Sequence, residues 1–225
     1  MAGQKKTEAR RGQILKAAER VFAEKGFQEA TVSDVAREAG VSDATIYEYF
    51  PSKEELLFSI PGDTTRLSTE MLSFHLNYVR GAANKIRSIV YHYLSFYQHH
   101  LDYASVIMLI LKQNRKFLET EAYQVVRQGY RLIIQVIEEG VESGEFKPDI
   151  DPYLVRSVIL GTIEHMVIRK VLLGRNENPL DAVDQLTDLI IEGIRRDEGV
   201  RQFNLRVTLE PAASLKAEKK LDNKI

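Results

Sequence analysis

Residues 31–53 read TVSDVAREAGVSDATIYEYFPSK, and their types fall in an order with a physical logic. Ala36 is small enough for two helices to touch, Gly40 supplies a tight turn, Val41 plugs the space behind it, and Ile46 anchors the helix that follows. Ser42, Asp43, Ala44, Thr45, Tyr47 and Glu48 then occupy the outward half of that second helix. They offer hydroxyls, small groups and a phenol to base edges in a DNA groove. Phosphates need positive charge. It is available on an N-terminal arm, as Lys5, Lys6, Arg10 and Arg11, and at Lys53 at the head of a later helix, with helix N-termini adding their own dipoles. This charge is placed rather than abundant, since residues 1–60 hold five Lys and four Arg against ten acidic residues.

A second set lies further along. Phe74, His75, Tyr78, Tyr91, His92, Tyr93, Phe96, Tyr97, His99, His100, Tyr103, Tyr123 and Tyr130 are dense in rings with polar tips, the lining of a mostly apolar pocket. The apolar run Val106–Leu111 is followed at once by Lys112, Gln113, Asn114, Arg115 and Lys116. An apolar tunnel with basic groups at its mouth suits an amphiphile with an anionic head. His99 and His100 are neighbours that diverge by ~100° on a helix and have no HExxH partner, so no metal site is expected. The chain has no Cys nucleophile, GxGxxG, P-loop, GxSxG or Glu-x-x-His signature, so no enzyme chemistry and no cofactor is indicated.

These groups need a helical frame. Ile14, Ala18, Val21 and Phe22 form one stripe of a helix from about Thr7 to Lys25, stopped by Gly26 as a C-terminal cap with Phe27 folding back. Thr31 or Ser33 caps a second helix to about Ala39, Ser42 a third ending near Phe50, and Ser52 a fourth. Pro51 breaks the third helix. Beyond residue 62 five or six more helices are expected, with breaks near Gly81, Asp102, 119–121, 143–151 and 174–178 and restarts at Pro152 and Pro179. The fold class is all-α with about nine helices: a helix-turn-helix domain over 1–52, a larger helical domain over 53–196, and a polar tail over 197–225 in which Phe203–Leu209 alternates as a short strand would. The chain has 225 residues, a formal charge of −1 and no Cys, which removes disulfides, thiolate zinc sites and iron–sulfur clusters. Its longest apolar run falls far short of the ~20 residues a membrane span needs. The N-terminus lacks a signal-peptide core, so a cytoplasmic protein with no membrane partner is expected.

The first helix, Gly26-Phe27, Thr31, Ala36, Ala39-Gly40-Val41, Thr45-Ile46-Tyr47, Tyr49-Phe50 and Lys53-Glu54-Glu55-Leu56-Leu57 together resemble the DNA-binding domain of TetR-family transcriptional regulators. The resemblance implies a homodimer, a helical ligand-binding and dimerisation domain, and release from operator DNA when a small molecule binds. Carried over position by position, it implies that Thr31, Tyr47, Tyr49 and Lys53 touch the DNA backbone and that Ser42, Asp43, Ala44 and Thr45 face the major groove. Lys6, Arg10 and Ser33 are further candidate contacts. The stretches 137–145 and 161–164 are similar to the branch of that family that answers fatty acyl-coenzyme A and controls fatty-acid degradation. A long acyl chain would then lie among Phe74, Tyr78, Phe96, Ile107, Leu111 and Met166, beside Tyr123 and Tyr130, with Arg115, Arg127 or Arg131 near its charged end. Two alternatives stand beside it: a cationic or aromatic drug controlling an efflux pump, and a DNA-binding protein without a ligand. Dimerisation is expected on the last two long helices, at Val155, Val158, Gly161 and Thr162 on one and Leu186 and Ile190 on the other. A two-fold pairing would present two reading helices to an inverted repeat in double-stranded DNA.

Overall fold

The computed structural model describes residues 2–174 and 178–196, and the expected tail with its strand at 203–209 lies outside them. Among the described residues the fold is all-helical. Ten α-helices run in the order α1 (Ala2–Glu29), α2 (Val32–Ala39), α3 (Asp43–Tyr49), α4 (Lys53–Ser59), α5 (Pro61–Leu76), α6 (Ala82–His99), α7 (Leu101–Ser105), α8 (Glu121–Glu142), α9 (Pro152–Leu173) and α10 (Val183–Ile194). A π-helical turn (Val106–Leu111) continues α7, and 3₁₀ turns precede α8 and α10.

Local chemistry explains most of the boundaries. Thr31, Ser42 and Ser52 each accept the backbone N–H three residues on, so α2, α3 and α4 start on side-chain caps. Gly26 breaks α1 at φ 74 and ψ 162, a conformation that strains any residue with a Cβ. Phe27 then folds back and meets the Phe22 ring edge-on at 5.6 Å. Asp151 caps α9 with Pro152 at its first position.

Other boundaries depend on distant partners. Gly81 offers α6 no side-chain cap, and the Glu145 carboxylate accepts the N–H groups of Ala82 (2.6 Å) and Ala83 (3.1 Å) instead. Phe146, fully buried, lies over Gly140 and Ala82, where a Cβ on residue 140 would collide with its ring. Lys147 N donates to Ile194 O and Arg196 N to Glu145 O, which fastens the end of α10 to the same loop. One continuous apolar core runs from Ile14 in α1 to Ile194 in α10.

Candidate DNA-reading head and effector chamber

The head is built on α2 and α3. Thr31 and Asp34 cap each other: Thr31 Oγ1 accepts Asp34 N–H at 3.1 Å, and the Asp34 carboxylate accepts Thr31 N–H (3.1 Å) and Oγ1–H (2.8 Å). Lys25 at 2.8 Å and Arg37 at 2.9 Å also reach that carboxylate. The Lys25 ammonium first, and Thr31 next, hold it far below the usual carboxylate range. Gly40 makes the turn in the left-handed region, and Val41 N–H closes it on Ala36 O at 2.9 Å. Ile46 is the single buried residue of α3. Because it points inward, Asp43, Ala44, Tyr47 and Glu48 point out, and Tyr47 is 53% exposed.

The polar candidates differ in how free they are. Ser42 Oγ lies 2.9 Å from Thr45 Oγ1 at the start of α3, and the Ser33 hydroxyl donates to the Asp43 carboxylate. Tyr49 is half-buried beside Phe50. Lys6 is exposed, and Arg10 donates to Gln13 at 3.2 Å. Lys53 stands apart from the expectation of a phosphate contact. Its ammonium donates to the carbonyls of Phe27 (2.7 Å), Ala30 (2.9 Å) and Gln28 (3.4 Å) and lies 4.4 Å from the centre of the Phe27 ring. All three N–H bonds are thus committed to joining the end of α1 to the start of α4, and a phosphate would have to displace them.

In the body, α5, α6, α7 and α8 close around an aromatic chamber of ≈ 30 Å³ lined by Tyr93, Phe96, Tyr97, Tyr103, Ile107 and Tyr130. Two polar pairs lie in its wall: Thr65 Oγ1 with Tyr103 Oη at 2.5 Å, and Ser68 Oγ with His92 Nε2 at 2.8 Å. Burial pushes the phenols of Tyr93, Tyr97, Tyr103 and Tyr130 well above their ordinary pKa, so they remain neutral hydrogen-bonding groups. Burial, and then the nearby His75, lowers His92 in turn.

Three grooves adjoin this chamber. Tyr130 is shared with a groove of ≈ 620 Å³ between α8 and α9 that holds Tyr123, Arg127, Arg131, Arg156 and Glu164. His92 and Phe96 are shared with one of ≈ 670 Å³ holding Met71, His75 and Tyr91. Thr69 is shared with one of ≈ 510 Å³ holding Phe74 and Leu132. Phe96, Ile107 and Tyr130 therefore come together at the chamber, and Tyr123 and Arg127 beside it. Other candidates fall elsewhere. Leu111 is wholly buried core, Phe74 sits exposed on the outer side of α5 and Tyr78 exposed in the turn after it, Arg115 is exposed on a 3₁₀ turn, and Met166 lines a separate pocket with Arg169 and Gln185. Thr65, Ser68 and Gly129 were not legible as lining, because their small polar side chains carry no periodic signal until α5 and α8 are packed.

The outward face of α9 and α10 is apolar at Leu154 (63% exposed), Val158 (48%) and Leu189 (70%), with Gly161 leaving open space where a Cβ would stand. Thr162 and Leu186 are half-buried at its edge. Val155 and Ile190 correct the expected register, because both are packed in the protomer's own core. Helical residues next to each other in sequence point ~100° apart, so the free stripe passes through 154 and 189 instead.

Two sets of contacts join head and body. The Phe58 ring in α4 lies 5.9 Å from Phe117, which meets Tyr123 of the arginine-bearing groove at 5.7 Å. Glu54 and Lys116 pair at 3.2 Å alongside. On the other side α1 packs on α7, where Glu19 is 5% exposed and Lys16 is 3.7 Å away.

The model of bacterial regulatory proteins of the tetR family matches residues 14–60, and that of the YsiA-like protein C-terminal region matches residues 68–193. The fatty acid metabolism regulator protein of Bacillus subtilis is 29% identical over 182 residues, covering 81% of this chain and 94% of that protein. The HTH-type transcriptional repressor KstR2 of Mycobacterium tuberculosis is 24% identical over 166 residues, covering 72% and 80%. The crystal structure of FadR from Bacillus subtilis in complex with stearoyl-CoA matches with a TM-score of 0.76 at 28% identity, covering 81% of this chain and 98% of that one. An exposed α3 over a paired Thr31–Asp34 cap, a helical body around an aromatic chamber, and two family matches that span head and body agree: the chain belongs to the TetR family of DNA-binding transcriptional regulators.

Proposed function

We propose that this regulator is a homodimeric repressor on an inverted-repeat operator and that a long-chain acyl-coenzyme A releases it. One observation carries the effector class. Arg127, Arg131 and Arg156 share one groove, and among the described residues none of them pairs with a carboxylate. The acid in that groove, Glu164, is already neutralised by Lys112. Three unpaired guanidinium groups suit the phosphates of a polyanionic head, and Tyr130 leads from them to the apolar chamber that would take the tail. The complex of a relative with stearoyl-CoA supports the same class.

The chamber's ≈ 30 Å³ is well below the roughly 300–1,000 Å³ of ligand pockets. An acyl chain enters only by parting α5 and α8, and that displacement is the signal. It passes from Tyr123 through Phe117 to Phe58 on α4, whose rotation changes the spacing of the two α3 helices from the one DNA turn an operator requires. On the head, Tyr47, Thr45, Ala44 and Ser42 face the groove, with Thr31, Ser33, Tyr49, Lys6 and Arg10 nearer the backbone. Asp43 contributes through its bond to Ser33.

Thermal unfolding with palmitoyl-coenzyme A, coenzyme A alone, palmitate and planar cationic drugs tests the reading. At about 100 times its Kd, palmitoyl-coenzyme A is expected to add about 2.7 kcal/mol and raise Tm. Arg127→Glu with Arg131→Glu should abolish that rise and spare any rise from palmitate. Stabilisation by the drugs alone would overturn the acyl assignment in favour of the groove at His75, Tyr91 and Phe96, whose rings suit a planar cation.

A further inference from the structure

An ion pair stands where the arginine groove meets the aromatic chamber. Tyr130 lines both spaces, and Glu164 of α9 lines the groove. Burial foremost raises the Tyr97 and Tyr130 phenols of the chamber, and the Glu164 charge adds to this, so its field reaches the chamber as well. Lys112 closes the π-helical turn: its N–H donates to Ile107 O at 3.0 Å, and Ile107 lines the chamber. The Lys112 ammonium pairs with Glu164 and lies 6.0 Å from the centre of the Tyr130 ring. The two side chains are only 26% and 30% exposed, so water and salt screen them weakly.

Given the effector reading proposed above, in which phosphates lie on Arg127, Arg131 and Arg156 and an acyl tail fills the chamber, the thioester falls at Tyr130, beside this pair. A thioester carbonyl is neutral and needs at most a hydrogen-bond donor. A free fatty acid with its tail in the chamber puts a carboxylate at the same point. Lys112, the cation beside Tyr130, is already matched by Glu164, so that added charge enters a partly desolvated neck without a counter-ion of its own. The pantetheine arm separates the thioester from the phosphates, so the acid reaches the guanidinium groups only by drawing its tail out of the chamber.

We propose that the Lys112–Glu164 pair is a specificity element of this site: by holding the neck at zero net charge it admits the neutral thioester and disfavours the free carboxylate. The arginine groove supplies affinity for the coenzyme, and the pair distinguishes the acylated coenzyme from the acid.

The test is a set of Kd values for palmitate, palmitoyl-coenzyme A and coenzyme A, measured by titration calorimetry below micellar concentrations. The proteins are the parent, Glu164→Gln, Lys112→Met and the double variant. Glu164→Gln frees the Lys112 ammonium, so palmitate is expected to tighten at least about tenfold, the worth of one charge-assisted hydrogen bond, while palmitoyl-coenzyme A and coenzyme A change by less than about threefold. Lys112→Met leaves Glu164 unmatched and should weaken palmitate more than palmitoyl-coenzyme A. The double variant is neutral again and should return the parent's ratio of the two acyl affinities. A merely structural pair would weaken both acyl ligands alike in each variant and leave that ratio unmoved. If the parent binds palmitoyl-coenzyme A and the ratio is the same in all four proteins, the proposal is overturned and the effector reading stands. Coenzyme A tightening as much as palmitate in Glu164→Gln would also overturn it, since the change would then belong to the groove as a whole. A parent that binds neither acyl ligand overturns the effector reading, and this proposal with it.

Discussion

Lys53 illustrates how a single side chain changes meaning when its surroundings are known. In the sequence it is a cation at a helix start, where a phosphate contact is a reasonable expectation; in the fold its three donors hold the carbonyls of Phe27, Gln28 and Ala30. Lys53→Ala should therefore cost about 1.5–3 kcal/mol of stability, the range for hydrogen bonds to charged groups. Urea unfolding measures it. The slope of log affinity against log salt should stay unchanged, whereas a lost phosphate contact would lower it by about one unit. Glu19 makes a pH-dependent case. Burial raises its carboxyl above the ordinary value, and Lys16 only partly opposes this. A raised pKa means that the folded state holds the proton more tightly, so the charged form weakens the fold at neutral pH. Glu19→Gln is expected to stabilise the fold at pH 7. That gain should shrink as pH falls toward 4.5 and below, which paired denaturant curves will show. The caps at Thr31, Ser42 and Ser52 were legible because donor and acceptor lie three residues apart. Lys53 and Glu145 were not, because their partners lie 23 to 26 and 62 to 63 residues away.

Helix order and punctuation follow from periodicity and from Gly, Pro and Ser positions, which is why α9 begins at Pro152 and α2 ends at Ala39, ahead of Gly40, as expected. The face a helix presents is harder to read. α9 and α10 are apolar on more than one side, and nothing in the pattern separates the side that packs on α6 and α8 from the side left free. Val155 and Ile190 belong to the first, Leu154, Val158 and Leu189 to the second. The two sets predict different phenotypes. Leu189→Glu should leave the fold stable and give monomers by analytical ultracentrifugation, with operator affinity falling steeply because each monomer reads only a half-site. Ile190→Ala should instead lower stability by about 2–5 kcal/mol, as truncations in a packed core do. A Leu189→Glu protein that stays dimeric would remove α10 from the interface.

Across the whole molecule the near-neutral charge conceals an uneven layout. Among the described residues, positive charge free of carboxylate partners appears at Lys6 and Arg10 on the head and at Arg127, Arg131 and Arg156 in the body, whereas Arg20, Arg37 and Arg87 are held by neighbouring acids. The head's free cations suit DNA and the body's suit an anionic effector, and the rings of Tyr123, Phe117 and Phe58 lie between the two. The central claim is that filling the body empties the head. Fluorescence anisotropy of a labelled inverted repeat, selected by its binding to the protein and titrated with palmitoyl-coenzyme A, measures that directly. The account predicts release of the DNA by the parent protein. It also predicts a much weaker response from Phe117→Ala, which still binds both ligands but lacks the ring between Tyr123 and Phe58. DNA that stays bound while palmitoyl-coenzyme A saturates the protein, or full release from Phe117→Ala, would contradict it.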